Sequence, residues 1–128
     1  VDAISFENAN TQSDLRSRSG KFSAMLCPEH PYGMTYRNYD CRMGDIIHVE
    51  AWRWGSSGGI VFSGNFNRDF YFSNSQPDET DSLGWQRIVI NFTLSYDMSG
   101  KEIGIYLHNN NNDTAWFDDF KIEYHALQ

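Results

Sequence analysis

The chain has 128 residues and a mass of 14.8 kDa, the size of one ordinary domain, which can bury a core without disulfides or metals to hold it. Seventeen acids against ten lysines and arginines leave a formal charge of −7 and a pI near 4.8 with no basic run, which argues against nucleic acid and anionic membrane surfaces as partners. No apolar stretch reaches the roughly 20 residues that span a bilayer, and no signal-peptide pattern precedes the first predicted strand. The chain opens at Val1 rather than at a methionine, so residues 1–128 are expected to be one domain of a longer protein.

Helical periodicity is nearly absent, whereas alternation of period two recurs. It predicts strands at 3–8, 20–27, 34–41, 45–54, 59–63, 68–73, 85–94, 102–108 and 115–124. The stretches "SSGG", "SNSQPDETD", "DMSG" and "NNNND" between them carry turn and loop chemistry. Short strands punctuated in this way predict an all-β chain folded as an antiparallel β-sandwich, jelly roll or Greek key.

In chain order, the first strand offers Glu7 in "ISFEN", an acid directly after a core aromatic. Strands 20–27 and 34–41 read as a hairpin with Cys27 and Cys41 near its ends. Antiparallel pairing would bring the two thiols opposite each other and permit a disulfide, the alternative being two free thiols. In 45–54, Ile47, Val49 and Ala51 share one face, and His48, Glu50, Trp52 and Trp54 share the other. Strand geometry sets the two indole rings side by side, about 7 Å apart.

Such a pair offers a platform for the C–H face of a sugar ring, with His48 and Glu50 placed to bind its hydroxyls. A tryptophan in a sandwich strand is equally at home as a packing residue, and both readings of Trp52 stand at this point. Arg87 and Asn91 alternate outward in 85–94, and Tyr106 and His108 do so in 102–108. Either row would extend a groove, and Tyr32, Tyr36 and Tyr39 would wall it. Asn91 in "NFT" and Asn112 in "NDT" match the glycosylation sequon, a weak signal by itself.

The last predicted strand, "AWFDDFKIEYH", contains two adjacent aspartates, although carboxylates are poor strand residues and costly to bury. Simple alternation puts Asp118 inward with Trp116, Phe120, Ile122 and Tyr124; a β-bulge would transfer that place to Asp119. A hard cation with oxygen ligands, calcium above all, would offset the charge. A solvated acidic edge that discourages strand-to-strand association is the alternative.

Taken in order, "SFEN", "SRSGKFSAML", "GDIIHVEAW", "GWQRIVINFTL" and "WFDDFKIE" resemble the landmarks of calcium-containing jelly-roll carbohydrate-binding modules, the galactose-binding-domain-like sandwiches attached to polysaccharide enzymes. The resemblance covers nearly the whole chain. It implies a structural calcium held by Glu7, by the backbone from Ser19 to Lys21, and by Asp118 or Asp119. It further implies an oligosaccharide or polysaccharide as partner, other domains of a parent protein, and an extracellular, periplasmic or cell-surface location.

Glycoside hydrolysis needs two carboxyl groups about 5–10 Å apart across a cleft. Glu50 alone stands among the groove candidates, and no nucleophile elbow, zinc motif or phosphate loop occurs. The expectation is a non-catalytic module with ligand residues His48, Glu50, Trp52, Trp54, Arg87 and Tyr106, and a metal set of Glu7, Ser19, Lys21, Asp118 and Asp119. The alternative is an accessory sandwich without sugar affinity, acting as a spacer or protein-interaction module.

Overall fold

The computed structural model describes residues 12–13, 18, 23–27, 31–95, 97–109 and 112–125. Among the described residues ten strands follow one another: β1 (Gln12–Ser13), β2 (Ser23–Leu26), β3 (Tyr32–Asn38), β4 (Ile46–Trp54), β5 (Gly59–Gly64), β6 (Phe70–Asn74), β7 (Glu79–Thr80), β8 (Gln86–Thr93), β9 (Ile103–His108) and β10 (Ala115–His125). They form a six-stranded sheet in the order β1-β2-β10-β4-β8-β7 and a four-stranded sheet in the order β3-β9-β5-β6. Every pairing among the described residues is antiparallel. The fold is an antiparallel β-sandwich, as the alternation predicts, and of the jelly-roll class that the resemblance implies.

The core lies between the sheets because each strand turns one apolar row inward. Ile47, Val49 and Ala51 on β4 and Ile88 on β8 meet Ile60 and Phe62 on β5 and Ile103, Ile105 and Leu107 on β9, all fully buried. Near one end the buried Arg53 guanidinium bonds Gly58 O, Ser75 O and the Gln86 side chain, at 2.8 Å, 2.9 Å and 2.6 Å. That arginine ties both sheets and their connections together, and burial lowers its pKa.

Three expectations need correction. The predicted hairpin of 20–27 with 34–41 does not form, because β2 and β3 belong to opposite sheets. Cys27 follows β2 on the side where β3 begins, and Cys41 follows the far end of β3. Seven strand residues lie between these ends, roughly 23 Å of chain, and both thiols are free. Burial pushes the Cys41 thiol up to about 11, with Asp45 adding to the shift.

The second concerns the paired aspartates, where simple alternation gives way to the β-bulge named above as its alternative. Asp118 pairs with Trp52 and Lys121 with Glu50, so Asp119 and Phe120 together oppose Ala51 across a bulge. Asp119 takes the left-handed conformation at φ 51° that allows it. Before the bulge Ala115 and Phe117 face the core, and after it Phe120 and Ile122 do. Asp118 therefore faces outward with Trp116, not inward. Third, the segment read wholly as loop at "SNSQPDETD" carries the two-residue β7 on the edge of β8. The predicted strand 3–8, and Glu7 with it, lies outside the described residues.

Candidate functional site

Period two gives each sheet an outer face, and the two faces carry different side chains. On the four-stranded sheet the register sets Tyr32, His108 and Gly59 on one rung, Tyr106, Val61 and Ser73 on the next, and Arg37, Gly104, Ser63 and Tyr71 on a third. Small residues on β5 and Gly104 on β9 leave the middle of the sheet low. The flanking strands raise rings on both sides, with Tyr32 50% and Tyr71 48% exposed. The result is a trough with a low floor and an aromatic rim.

Two cavities lie along it. One of about 310 Å³ is lined by Tyr32, Thr35, Arg37, Ser63, Phe66, Asn67, Glu102 and Tyr106. The other, about 180 Å³, lies toward β6 and includes Tyr71, Ser73 and His108. Tyr32 stacks on His108, centroids 4.5 Å apart and planes 7° from parallel, and tilts against Tyr106 at 5.9 Å. Burial lowers the His108 pKa from 6.5, so the imidazole is neutral at pH 7. Burial, with neighbouring Tyr71 adding, raises the Tyr106 phenol, while a side-chain hydrogen bond with Asn67 acts the other way.

The turn between β5 and β6 forms one lip of the trough. Asn65, Phe66 and Asn67 all have positive φ, at 54°, 54° and 68°. Asparagine tolerates that region, but phenylalanine pays roughly 1–2 kcal/mol for it. Hydrogen bonds hold the turn: Asn65 N to Glu102 O at 2.7 Å, Asp69 N to Gly64 O at 3.1 Å, and Phe66 N to Glu102 Oε1 at 3.2 Å. The strained residue presents its ring to solvent, 55% exposed, with the Arg37 guanidinium 5.6 Å from the ring centroid. Arg37 in turn pairs with Glu102 Oε2. A flat, hydroxyl-rich molecule would find stacking rings at the rim and polar partners on the floor.

The outer face of the six-stranded sheet holds most of the residues singled out from sequence. His48, Glu50, Trp52 and Trp54 do share it, and Arg87 lies opposite Trp52. Tyr106 does not join them, because β9 belongs to the other sheet. Trp52 is only 6% exposed, and the Arg18 guanidinium lies over its ring at 3.6 Å. Trp54 packs on Trp85 at 5.7 Å beneath the 81–85 turn, where a Cβ on Gly84 would stand 3.0 Å from the indole. Glu50 lies 3.6 Å from His48 and 3.8 Å from Arg87, and Arg87 also pairs with Asp78 at 2.9 Å. Trp52 is thus covered and Trp54 half-buried, so the two rings do not form an open side-by-side platform.

Arg18 also engages the acids. Its guanidinium bonds Asp81 at 3.0 Å and Asp119 at 2.8 Å, and its backbone N–H donates to Asp118 Oδ2 at 2.7 Å. Asp118 Oδ1 accepts the Asp119 N–H at 2.8 Å. Burial works against the Asp81 charge, but N–H donors from Trp85 and Leu83 and the Arg18 partner outweigh it and lower the pKa. Of the metal set, Glu7, Ser19 and Lys21 lie outside the described residues. The two remaining carboxylates are oxygen donors of the type calcium takes, and they are shared with Arg18. Among the described residues no three His, Cys, Asp or Glu side chains cluster as a metal site.

A comparison with known structures bears on this sandwich. The CBM22-1 xylan-binding domain from Paenibacillus barcinonensis Xyn10C aligns over 91% of this chain and 81% of its own, with TM-score 0.58 and 11% identity. The fold is that of carbohydrate-binding modules. A Family 16 Carbohydrate Binding Module-2 aligns over 88% of this chain and 83% of its own, with TM-score 0.54 and 15% identity. No family model and no curated protein matches the sequence. Sequence reading named Tyr32, Tyr106 and His108 around this trough but missed Arg37, Phe66, Tyr71 and Glu102. Tyr71 was legible as the outward residue between inward Phe70 and Phe72, whereas "GNFNRD" carries only a turn signal.

Proposed function

We propose that the chain is a non-catalytic carbohydrate-binding module that targets a larger enzyme or cell-envelope protein to glycans, with the trough of the four-stranded sheet as its sugar site. The observation that carries this reading is the low floor flanked by exposed Tyr32, Tyr71 and Phe66 and by Tyr106. The module fold of the two aligned structures supports it. Among the described residues lining the two cavities Glu102 is the one carboxylate, and it is tied to Arg37 and Phe66, which favours binding over a two-carboxylate hydrolysis.

Calcium belongs to the same proposal. Glu7, Ser19 and Lys21 would join Asp118 or Asp119 around a structural ion that adds to the neutralisation Arg18 begins. A location outside the cytoplasm follows from the same reading, since polysaccharide targets lie there. A second reading, an accessory sandwich without sugar affinity, draws on the burial of Trp52 and the half-buried state of Trp54.

Affinity electrophoresis against soluble xylan, mannan, glucan and galactan tests the first reading. Retardation by at least one of them, lost in Tyr106→Ala and kept in Trp54→Ala, is the expected result. No retardation by any polysaccharide and no binding on a glycan array would hand the case to the accessory domain.

A further inference from the structure

Glu102 stands at the C-terminal side of the turn after Met98, 3% exposed, its carboxylate in the floor of the larger cavity. Its two oxygens do different things. Oε1 accepts the backbone N–H of Phe66 at 3.2 Å, and Oε2 pairs with the Arg37 guanidinium. Gly104, two residues on, keeps the space over the carboxylate open, since a Cβ there would stand 3.1 Å from Oε2. One buried group therefore fixes both an exposed aromatic ring and a cation at the same end of the trough.

We infer that Glu102 is a positioning and selectivity residue of this trough, which makes the Arg37–Phe66 end accept a neutral sugar ring and reject a uronate. The inference rests on the sugar-site reading above. A guanidinium beside a pocket is by itself a carboxylate receptor. Here its charge is already matched by a carboxylate in the same cavity floor, so an incoming uronate would bring a second negative group against Glu102 in a partly enclosed space. Repulsion between like charges at such short range discriminates strongly between ligands. The chain's net charge of −7 acts in the same direction. A neutral ring meets no such cost: its hydroxyls accept from Arg37 and donate to the carboxylate, while Phe66 covers its C–H face.

The role of Phe66 in the pair is equally specific. A phenylalanine is held at φ 54° by the hydrogen bond to Glu102 and by the turn's own bonds, and its ring gains no buried position in return. The strain is spent on placing a ring at the lip. Glycine at this position would relieve the strain while removing the ring.

The experiment compares soluble xylan, as neutral probe, with polygalacturonate, as uronate probe, by affinity electrophoresis and calorimetry on wild type, Glu102→Gln, Phe66→Gly and Tyr106→Ala. Wild type should bind the neutral probe and ignore polygalacturonate. Glu102→Gln keeps an oxygen for the Phe66 N–H but removes the carboxylate charge beside Arg37. It should shift the neutral-to-uronate preference by about tenfold or more toward polygalacturonate. Phe66→Gly should weaken xylan binding about tenfold without lowering the melting temperature and without creating uronate affinity. A merely structural Glu102 would lower stability and leave the preference unchanged. If Glu102→Gln keeps the wild-type preference while Tyr106→Ala loses xylan, the selectivity inference falls and the sugar site stands. If wild type prefers polygalacturonate, the inference is overturned directly. If xylan and every other neutral polysaccharide fail to bind wild type, the sugar-site reading falls and takes this one with it.

Discussion

The two outer faces of the sandwich are built from the same strand alternation and end in opposite states. The six-stranded face carries larger aromatics, Trp52 and Trp54 among them, the first buried under Arg18 and the second half-buried against the 81–85 turn and Trp85. Several of its charged residues are tied in ion pairs, such as Arg87 with Asp78, Lys121 with Glu123 and Arg18 with Asp81 and Asp119. The four-stranded face carries smaller rings, yet these border open cavities over glycine, valine and serine. A platform depends less on how large a ring is than on what lies over it. Burial turns an aromatic into packing, and a low neighbourhood turns it into a receptor.

That contrast breaks most sharply at Trp52. Trp52→Ala should destabilise the fold by about 3 kcal/mol, as a buried tryptophan does, and leave binding to polysaccharide intact in whatever protein remains folded. Chemical denaturation and affinity electrophoresis on the same sample check it; lost affinity with unchanged stability would move the site to the six-stranded face. Calcium sharpens the covered face further. If the ion joins Asp118 or Asp119 as proposed, a hundredfold excess over its dissociation constant should stabilise the fold by about 2.7 kcal/mol. Identical melting curves in chelator and in millimolar calcium, on protein shown to be metal-free, would end that proposal.

Tyr106→Ala tests the open face. Loss of one stacking residue should cost about 2 kcal/mol of binding, roughly thirtyfold in the dissociation constant, with little change in melting temperature. Arg18→Ala should be milder: about 1 kcal/mol of stability from the lost ion pairs and ring contact. It should also make Trp52 more accessible to acrylamide quenching. The smallest effect is in acid. The Asp81 pKa in the folded protein lies below its ordinary value, so its contribution is full above about pH 4 and is lost as the pH falls through the folded value. Asp81→Asn should flatten that acid limb of the stability curve, while an unchanged limb would remove Asp81 from the account.

The sequence by itself determined the class of fold and the inside of the sandwich. Ile47, Val49 and Ala51 were legible because period two is a local property and the hydrophobic effect acts on each strand alone, and the same alternation runs through Ile88, Ile90, Phe92 and Leu94 and through Ile103, Ile105 and Leu107. It also put His48, Glu50, Trp52 and Trp54 together, since neighbours in one strand share a face whatever that strand pairs with. What only the tertiary structure decided was which strands share a sheet, and therefore which outward rows share a surface. Tyr106 and Trp52 were read as one groove and lie on opposite sides, because alternation says in or out and not which sheet. The hairpin of 20–27 with 34–41 failed for the same reason, and the two cysteines with it. Asp118 turned outward because a single extra residue in β10 inverts the parity of everything before it, a shift fixed by pairing with β4 and invisible along one strand. The covers over the tryptophans come from Arg18 and from residues 81–85, and the lip of the trough from Glu102 bonding a turn 36 residues away. Such contacts join segments far apart in the chain, and nothing in local pattern fixes them before the sheets have packed.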